Sequence, residues 1–203
     1  MKGLKLKINL TDIITISGKR NSGKTVLAKH LIRQMLANDY NLEIFDINNE
    51  YGEFDHAFGH YRHKYRSVSE YREMMPKQLN LAMQNEDKIL IFDDIDLVIG
   101  QNSIPDALIE SLQLGRHRGI GMVLIFRRIN SMHKQVIFNS DKFFIFKSRL
   151  KLDREYLTQN LESDYDIINL EDYQFLYIGL NDQLFTGHID LKSDKMVRDQ
   201  VIR

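Results

Sequence analysis

Residues 18–25 read Gly-Lys-Arg-Asn-Ser-Gly-Lys-Thr, and this octet restricts the fold more than any other stretch of the chain. A G-x-x-x-x-G-K-T run functions only where a strand delivers it and a helix receives it. Both flanks are present. Ile13-Ile14-Thr15-Ile16-Ser17 precedes it as an apolar strand, and Val26 to Leu36 follows with Leu27, Ala28, Leu31, Ile32 and Met35 on one helical face. The glycines let the backbone curl round a triphosphate so that successive N–H groups point at phosphate oxygens. The N-terminus of the next helix adds a favourable dipole. Lys24 is placed to reach the β- and γ-phosphates, and the Thr25 hydroxyl to ligate Mg²⁺. The expected nucleotide-binding set is Gly18, Lys19, Arg20, Asn21, Ser22, Gly23, Lys24, Thr25 and Val26, with ATP and Mg²⁺ as cofactors.

Composition narrows the class. The 203 residues are 43% hydrophobic, which suits one domain with a sizeable core, and the formal net charge is zero. With no cysteine, disulfides and thiolate metal sites are excluded. The basic N-terminus lacks the apolar run of a signal peptide, and no stretch approaches the ~20 apolar residues of a membrane span. These figures point to a soluble intracellular α/β protein of one P-loop domain: a lead-in strand over 1–11, a core over 12–190 and a C-terminal tail over 191–203.

Periodicity gives the order of elements. Leu4, Leu6, Ile8 and Leu10 alternate with polar residues and predict the lead-in strand. Strands are predicted at 12–17, 42–46, 88–92, 121–126 and 142–146. Helices are predicted over 26–36, over 70–85 with Pro76 as a break, from Ser103 to about Gly115, and after Asp153. Residues 56–66 read as irregular. A terminal hairpin is predicted around Asn181-Asp182. Alternating strands and helices imply a mostly parallel sheet with helices on both faces, whose ligands bind beyond the carboxyl ends of the strands. The loop, Asp46, Asp93 and Arg127 all fall at such ends.

Lys88-Ile89-Leu90-Ile91-Phe92 is an apolar strand from which Asp93 and Asp94 emerge. This is the Walker B pattern. Asp93 is expected to hold Mg²⁺ through water, and Asp94 to orient or deprotonate the attacking water, with Asp96 as its rival. His56, His60 and His63 lack carboxylates at ligand spacing apart from Asp55, and are not read as a metal site.

Three further stretches resemble one family. They are Phe45-Asp46-Ile47-Asn48-Asn49-Glu50-Tyr51; Arg116-His117-Arg118-Gly119-Ile120 entering the strand Met122 to Phe126; and Arg127-Arg128-Ile129 followed by Phe143 to Lys147. In this order, with both Walker motifs, they resemble the FtsK–HerA superfamily of ATP-driven DNA translocases over roughly residues 12–190. Arg127 stands where that family has a glutamine, Ile129 where it has a proline, and Asp94 where it commonly has a glutamate. Arginine cannot accept a hydrogen bond from water, but it can stabilise phosphate charge.

The resemblance implies a RecA-like P-loop fold and a ring, usually a hexamer, with ATP at subunit interfaces and DNA in the pore. The implied catalytic set is Asp94, Glu50, Arg127 and Arg116, with Arg116 reaching a neighbour's site and Arg149 and Arg154 as alternatives. Residues 115–134 hold five basic residues and no acid, whereas 153–182 hold eight acids and one base. Such polarity suits a basic pore and double-stranded DNA contacted through phosphates. The basic stretch 56–66, interleaved with Phe58, Tyr61 and Tyr65, is a second candidate contact. The short chain most resembles genome-packaging ATPases of internal-membrane double-stranded DNA viruses. Packaging a genome into a preformed capsid is therefore expected, with capsid or inner-membrane partners, in the infected cell's cytoplasm or at a capsid vertex. The alternatives are a cellular or plasmid DNA-transfer ATPase, a small-molecule kinase and a non-hydrolysing nucleotide switch.

Overall fold

Two-residue alternation inside the apolar strands decides how the layers stack. The computed structural model describes residues 6–57, 60–179 and 183–202. In β1 (Ile13–Ser17), Ile14 and Ile16 join one buried cluster and Ile13 the other. The same split runs through β4 (Lys88–Phe92), β5 (Ile120–Phe126) and β6 (Lys142–Phe146). Ile89, Ile91, Val123, Ile125, Phe144 and Phe146 face the layer of α1 (Lys24–Leu36). Leu90, Phe92, Leu124, Phe126, Phe143 and Ile145 face the other layer. That second layer holds α2 (Val68–Ala82), α3 (Asp106–Leu114), α4 (Lys134–Asn139) and α5 (Lys151–Leu161). A strand apolar on both sides is the mark of a parallel sheet covered on both faces. Each such side chain contributes about 1.5–3 kcal/mol on burial.

One sheet joins nine strands in the order β3-β2-β4-β5-β1-β6-β7-β8-β9. The first six pair parallel, among them β2 (Asn41–Asp46) and β3 (His60–Lys64). The last three, β7 (Gln174–Gly179), β8 (Gln183–Asp190) and β9 (Lys195–Val201), pair antiparallel. The fold is the expected α/β P-loop type, mostly parallel with helices on both faces. β1 is central, so the loop that follows it opens at the middle of the sheet's carboxyl edge.

The structure corrects several sequence expectations. Residues 6–10 form no strand. β1 already has partners on both sides, and the Asp12 carboxylate accepts the Asn9 N–H at 2.7 Å and turns the chain; residues 1–5 lie outside the described residues. The stretch read as irregular contains β3, in which the Arg62 side chain, 4% exposed, is turned inward and paired with Asp46 and Asp55. Segment 191–203, expected as a tail, supplies β9, so the terminal element is three-stranded rather than a hairpin. The turn at Asn181-Asp182 and Phe58 lie outside the described residues.

Pro76 sits within an unbroken α2, which Ser67 caps by accepting the Glu70 N–H. α3 starts at Asp106, because Ser103 pairs with Gly100 instead of capping. α5 starts at Lys151, and Asp153 lies buried in its first turn with Ser148 donating to it.

Candidate active site

The loop after β1 is held open by residues that only small or polar side chains tolerate. Gly23 has φ 111°, a left-handed value, and a methyl there would stand 3.0 Å from both the Phe146 and Tyr173 rings. At Gly18 a methyl would stand 2.6 Å from Phe146 Cβ. Asn21 has φ 61°, tolerable for asparagine. Lys24 crosses beneath the loop and donates to the Lys19 carbonyl at 3.0 Å. Burial lowers its pKa, and Asp94, Asp93, Asp96 and Glu50 oppose that shift. Gly23 precedes α1 as an N-cap with no side chain to accept, so the first-turn amides are left to an incoming anion.

A cleft of about 710 Å³ opens here. One wall is the loop and the start of α1: Arg20, Asn21, Gly23, Lys24, Thr25 and Val26. Gly18 and Ser22 lie beneath it, and Lys19 points to Asp172 at 3.9 Å. The opposite wall carries Asn48, Glu50, Asp93, Asp94 and Arg127. Thus the sheet brings together the residues that sequence placed on four separate strand ends.

The acidic wall is tightly organised. Asp93 is 2% exposed at the end of β4; its carboxylate accepts from Asn48 Nδ2 at 2.8 Å and from the Tyr51 hydroxyl at 3.4 Å. The buried Tyr71 hydroxyl donates to the Asp93 carbonyl at 3.0 Å. Burial, then the neighbouring Asp94, pushes the Asp93 carboxyl up to about 7. Asp94 adopts a left-handed conformation, φ 43° and ψ 48°, and accepts from the same Asn48 amide at 3.0 Å. Asp46, fully buried, accepts the Glu50 and Tyr51 N–H groups at 3.1 and 3.0 Å and the Arg62 guanidinium at 2.8 Å. It therefore shapes the loop that presents Asn48 and Glu50. Glu50 in turn accepts the Thr25 hydroxyl at 2.8 Å.

Asp96, the rival catalytic carboxylate, does not line the cleft; Arg127 Nε donates to it at 3.2 Å. Burial raises the Asp96 pKa and Arg127 opposes that. Arg116 is exposed and outside the cleft, donating to both Asp141 oxygens at 2.8 and 3.0 Å. Asp141 also accepts the Ile13 N–H at the start of β1, which puts Arg116 at the opposite edge of the sheet. Arg149 is exposed, and Arg154 lies 3.7 Å from Asp166; neither lines the cleft.

The donor set suits Mg²⁺: a hydroxyl at Thr25 and a carboxylate at Asp93, both hard oxygen ligands on the cleft. Among the described residues no group of three or more His, Cys, Asp or Glu could hold a metal ion. Mg²⁺ bound through one or two protein oxygens, with water and phosphate supplying the rest, does not require one. Sequence reasoning gave no role to Asn48, Tyr71 or Tyr173. Asn48 lies between Asp46 and Glu50 in a stretch already singled out. Tyr173 carried no local signal.

The match to solved structures is one of fold, since identities are low. The genome-packaging NTPase B204 of Sulfolobus turreted icosahedral virus 2, solved with AMP, is similar at 22% identity and TM-score 0.72, over 97% of this chain and 100% of that one. The pCW3 conjugation coupling protein TcpA is similar at 14% identity and TM-score 0.62, over 95% of this chain and 61% of that one. EssC of Geobacillus thermodenitrificans follows at 17% and 0.60, over 85% and 38%. These likenesses show a shared P-loop ATPase fold. No curated protein sequence matches the chain. A family model for the ATPase family associated with various cellular activities (AAA) matches residues 14–144, well over half of the chain. The chain therefore belongs to the AAA ATPase family, and ATP hydrolysis is its chemistry.

Proposed function

We propose that this ATPase is a motor that translocates double-stranded DNA, and that its particular task is to package a viral genome into a preformed capsid. The supporting observation is the end-to-end correspondence of fold with a genome-packaging NTPase, 97% of one chain on 100% of the other. The likeness to a conjugation coupling protein supports the broader translocase reading.

In this reading the triphosphate lies between the loop wall and the acidic wall. Lys24 and the first amides of α1 hold the phosphates. Mg²⁺, held by Thr25 and Asp93, would offset the charge of the phosphates and of the neighbouring carboxylates. Asp94, on the cleft and already oriented by Asn48, positions or deprotonates the attacking water. The Thr25 hydroxyl, which donates to Glu50 at 2.8 Å, would be the oxygen offered to the ion. Arg127 stabilises phosphate charge from the far rim after parting from Asp96. Arg116 is out of reach of its own cleft, and is assigned to the neighbour's site in a ring, probed below against Arg149 and Arg154. The ring itself, a hexamer, and capsid or inner-membrane partners belong to the same proposal. So does residence in the infected cell or at a capsid vertex. No helix among the described residues is long and apolar enough to cross a membrane.

The test is the ATPase rate with and without double-stranded DNA, read beside molecular mass in solution. DNA-stimulated turnover by a ring supports the motor. A monomer that transfers phosphate to a small molecule, with no response to DNA, refutes it.

A further inference from the structure

We propose that Tyr173 is the nucleobase-stacking residue of the cleft, its ring forming the platform for the purine of the bound triphosphate. The inference rests on reading the cleft as the ATP site.

Sheet order sets the direction. β1 lies between β5 and β6, with acid-bearing β4 beyond β5 and with β7 beyond β6. The triphosphate lies toward Asp93 and Asp94, so the nucleoside leaves on the β6–β7 side. Tyr173 is the residue immediately before β7. It lines the same cleft as Lys24 and Thr25, and is the one aromatic among the described residues doing so.

Its position is fixed. The Tyr173 N–H donates to the Ser22 carbonyl at 3.2 Å, which ties it to the phosphate loop. Its ring packs over Gly23, close enough that a methyl there would lie 3.0 Å from Tyr173 Cδ1. The preceding Asp172 lies 3.9 Å from Lys19 of the loop. The backbone is left-handed at φ 66°, a conformation that is unusual for a bulky side chain. Strain of this kind persists where surrounding contacts over-determine it, and it collects at ligand sites. The residue is nevertheless 40% exposed, a large aromatic side chain held beside a polar cleft rather than folded into the core. An aromatic face accepts any base by stacking. The platform therefore strengthens ATP and GTP binding alike.

The experiment is calorimetry of the full chain with ATP, GTP and inorganic tripolyphosphate, for the wild type, Tyr173→Phe and Tyr173→Leu. The leucine keeps an apolar contact on Gly23 but removes the π face. Tyr173→Leu is expected to lose roughly tenfold in affinity for ATP and for GTP, with tripolyphosphate unchanged, and Tyr173→Phe to bind all three nearly as the wild type does. An equal loss of tripolyphosphate would show that Tyr173 merely props the loop, and would overturn the inference. So would wild-type ATP affinity in the leucine variant. A wild-type chain that binds neither ATP nor tripolyphosphate overturns instead the reading of the cleft.

Discussion

The Asn48 side-chain amide holds Asp94 Oδ2 at 3.0 Å, and Asp94 itself stands in a left-handed conformation with φ 43°. The second proton of that amide goes to Asp93 at 2.8 Å. One neutral group thus spaces two adjacent carboxylates that would otherwise repel. Asn48→Ala is expected to lower kcat by roughly 10- to 100-fold while KM for ATP moves little, because the lost contact aims the carboxylate rather than binding the phosphates. Asn48→Asp should be worse, adding a third charge. Steady-state kinetics decide it; an unchanged kcat in Asn48→Ala would remove Asn48 from the site's working parts.

Lys24 and Asp94 face each other across the cleft but have different duties. Lys24→Ala removes a buried cation of the phosphate loop, so nucleotide binding itself should fail in a titration with a fluorescent ATP analogue. Asp94→Asn keeps the shape and should bind ATP but turn over on the order of 10²-fold more slowly. Normal turnover would transfer the role to Glu50, the carboxylate on the cleft besides Asp94 and the ion-holding Asp93, since Asp96 does not line it.

Legibility followed the range of the forces involved. β1, the loop, α1 and the β4 strand ending in Asp93 were readable because their signals are local: apolar runs, glycine spacing and a helical face. β3 was not, since His60-Tyr61-Arg62-His63-Lys64 has no apolar periodicity. It is a strand because Arg62 reaches Asp46 and His63 stacks on Phe45 at 4.7 Å. Its basic residues therefore offer less to DNA than composition suggested. Arg62 and His63 are turned inward, and Lys64 is paired with Asp55 at 3.3 Å. The carboxylates that line the cleft were legible, but Asn48 and Tyr173 were not, because their contacts join residues distant in sequence. The Arg127–Asp96 pair was invisible for the same reason.

Arg62 supplies a stability test of that view. It is the cation for fully buried Asp46, which also anchors the Glu50 and Tyr51 amides. Arg62→Ala leaves that carboxylate without its counter-charge and is expected to cost about 3 kcal/mol in urea unfolding. Residual DNA affinity in the variant should fall only in proportion to the folded fraction. A specific loss of DNA binding with stability intact would return Arg62 to the DNA-contacting surface.

Asp93 makes the nucleotide-free protein sensitive to pH. Burial and the neighbouring Asp94 push its folded carboxyl up to about 7, against 3.8 for an unperturbed aspartate. The folded state therefore holds a proton that the unfolded chain has released, and stability must fall as pH rises through the window from about 4 to 7. Asp93→Asn should flatten that part of the profile and stabilise the nucleotide-free protein at pH 8, by on the order of 2–4 kcal/mol. Thermal melts at pH 5 and pH 8 measure it. A wild-type profile that rises over this window would mean that Asp93 is solvated in the free protein.

Arg116 separates a ring from a self-contained enzyme. It is exposed at the start of β1 and β6, bonded to Asp141, and absent from its own cleft. A surface pair of this kind contributes little to stability, so Arg116→Ala should fold normally. If it completes the neighbour's site, its loss should cost about 10³-fold in turnover. Mixing decides the geometry. Arg116→Ala retains Lys24, and Lys24→Ala retains Arg116, so neither alone should hydrolyse ATP. In a ring assembled from both, an interface with Lys24 from one chain and Arg116 from the next is complete. Random 1:1 assembly makes roughly a quarter of the interfaces complete, and the mixture should recover about that share of wild-type activity. An arginine acting within its own chain gives no recovery at any ratio, because no chain then carries both residues. Running Arg149→Ala and Arg154→Ala against Lys24→Ala in the same way identifies which of the three crosses the interface.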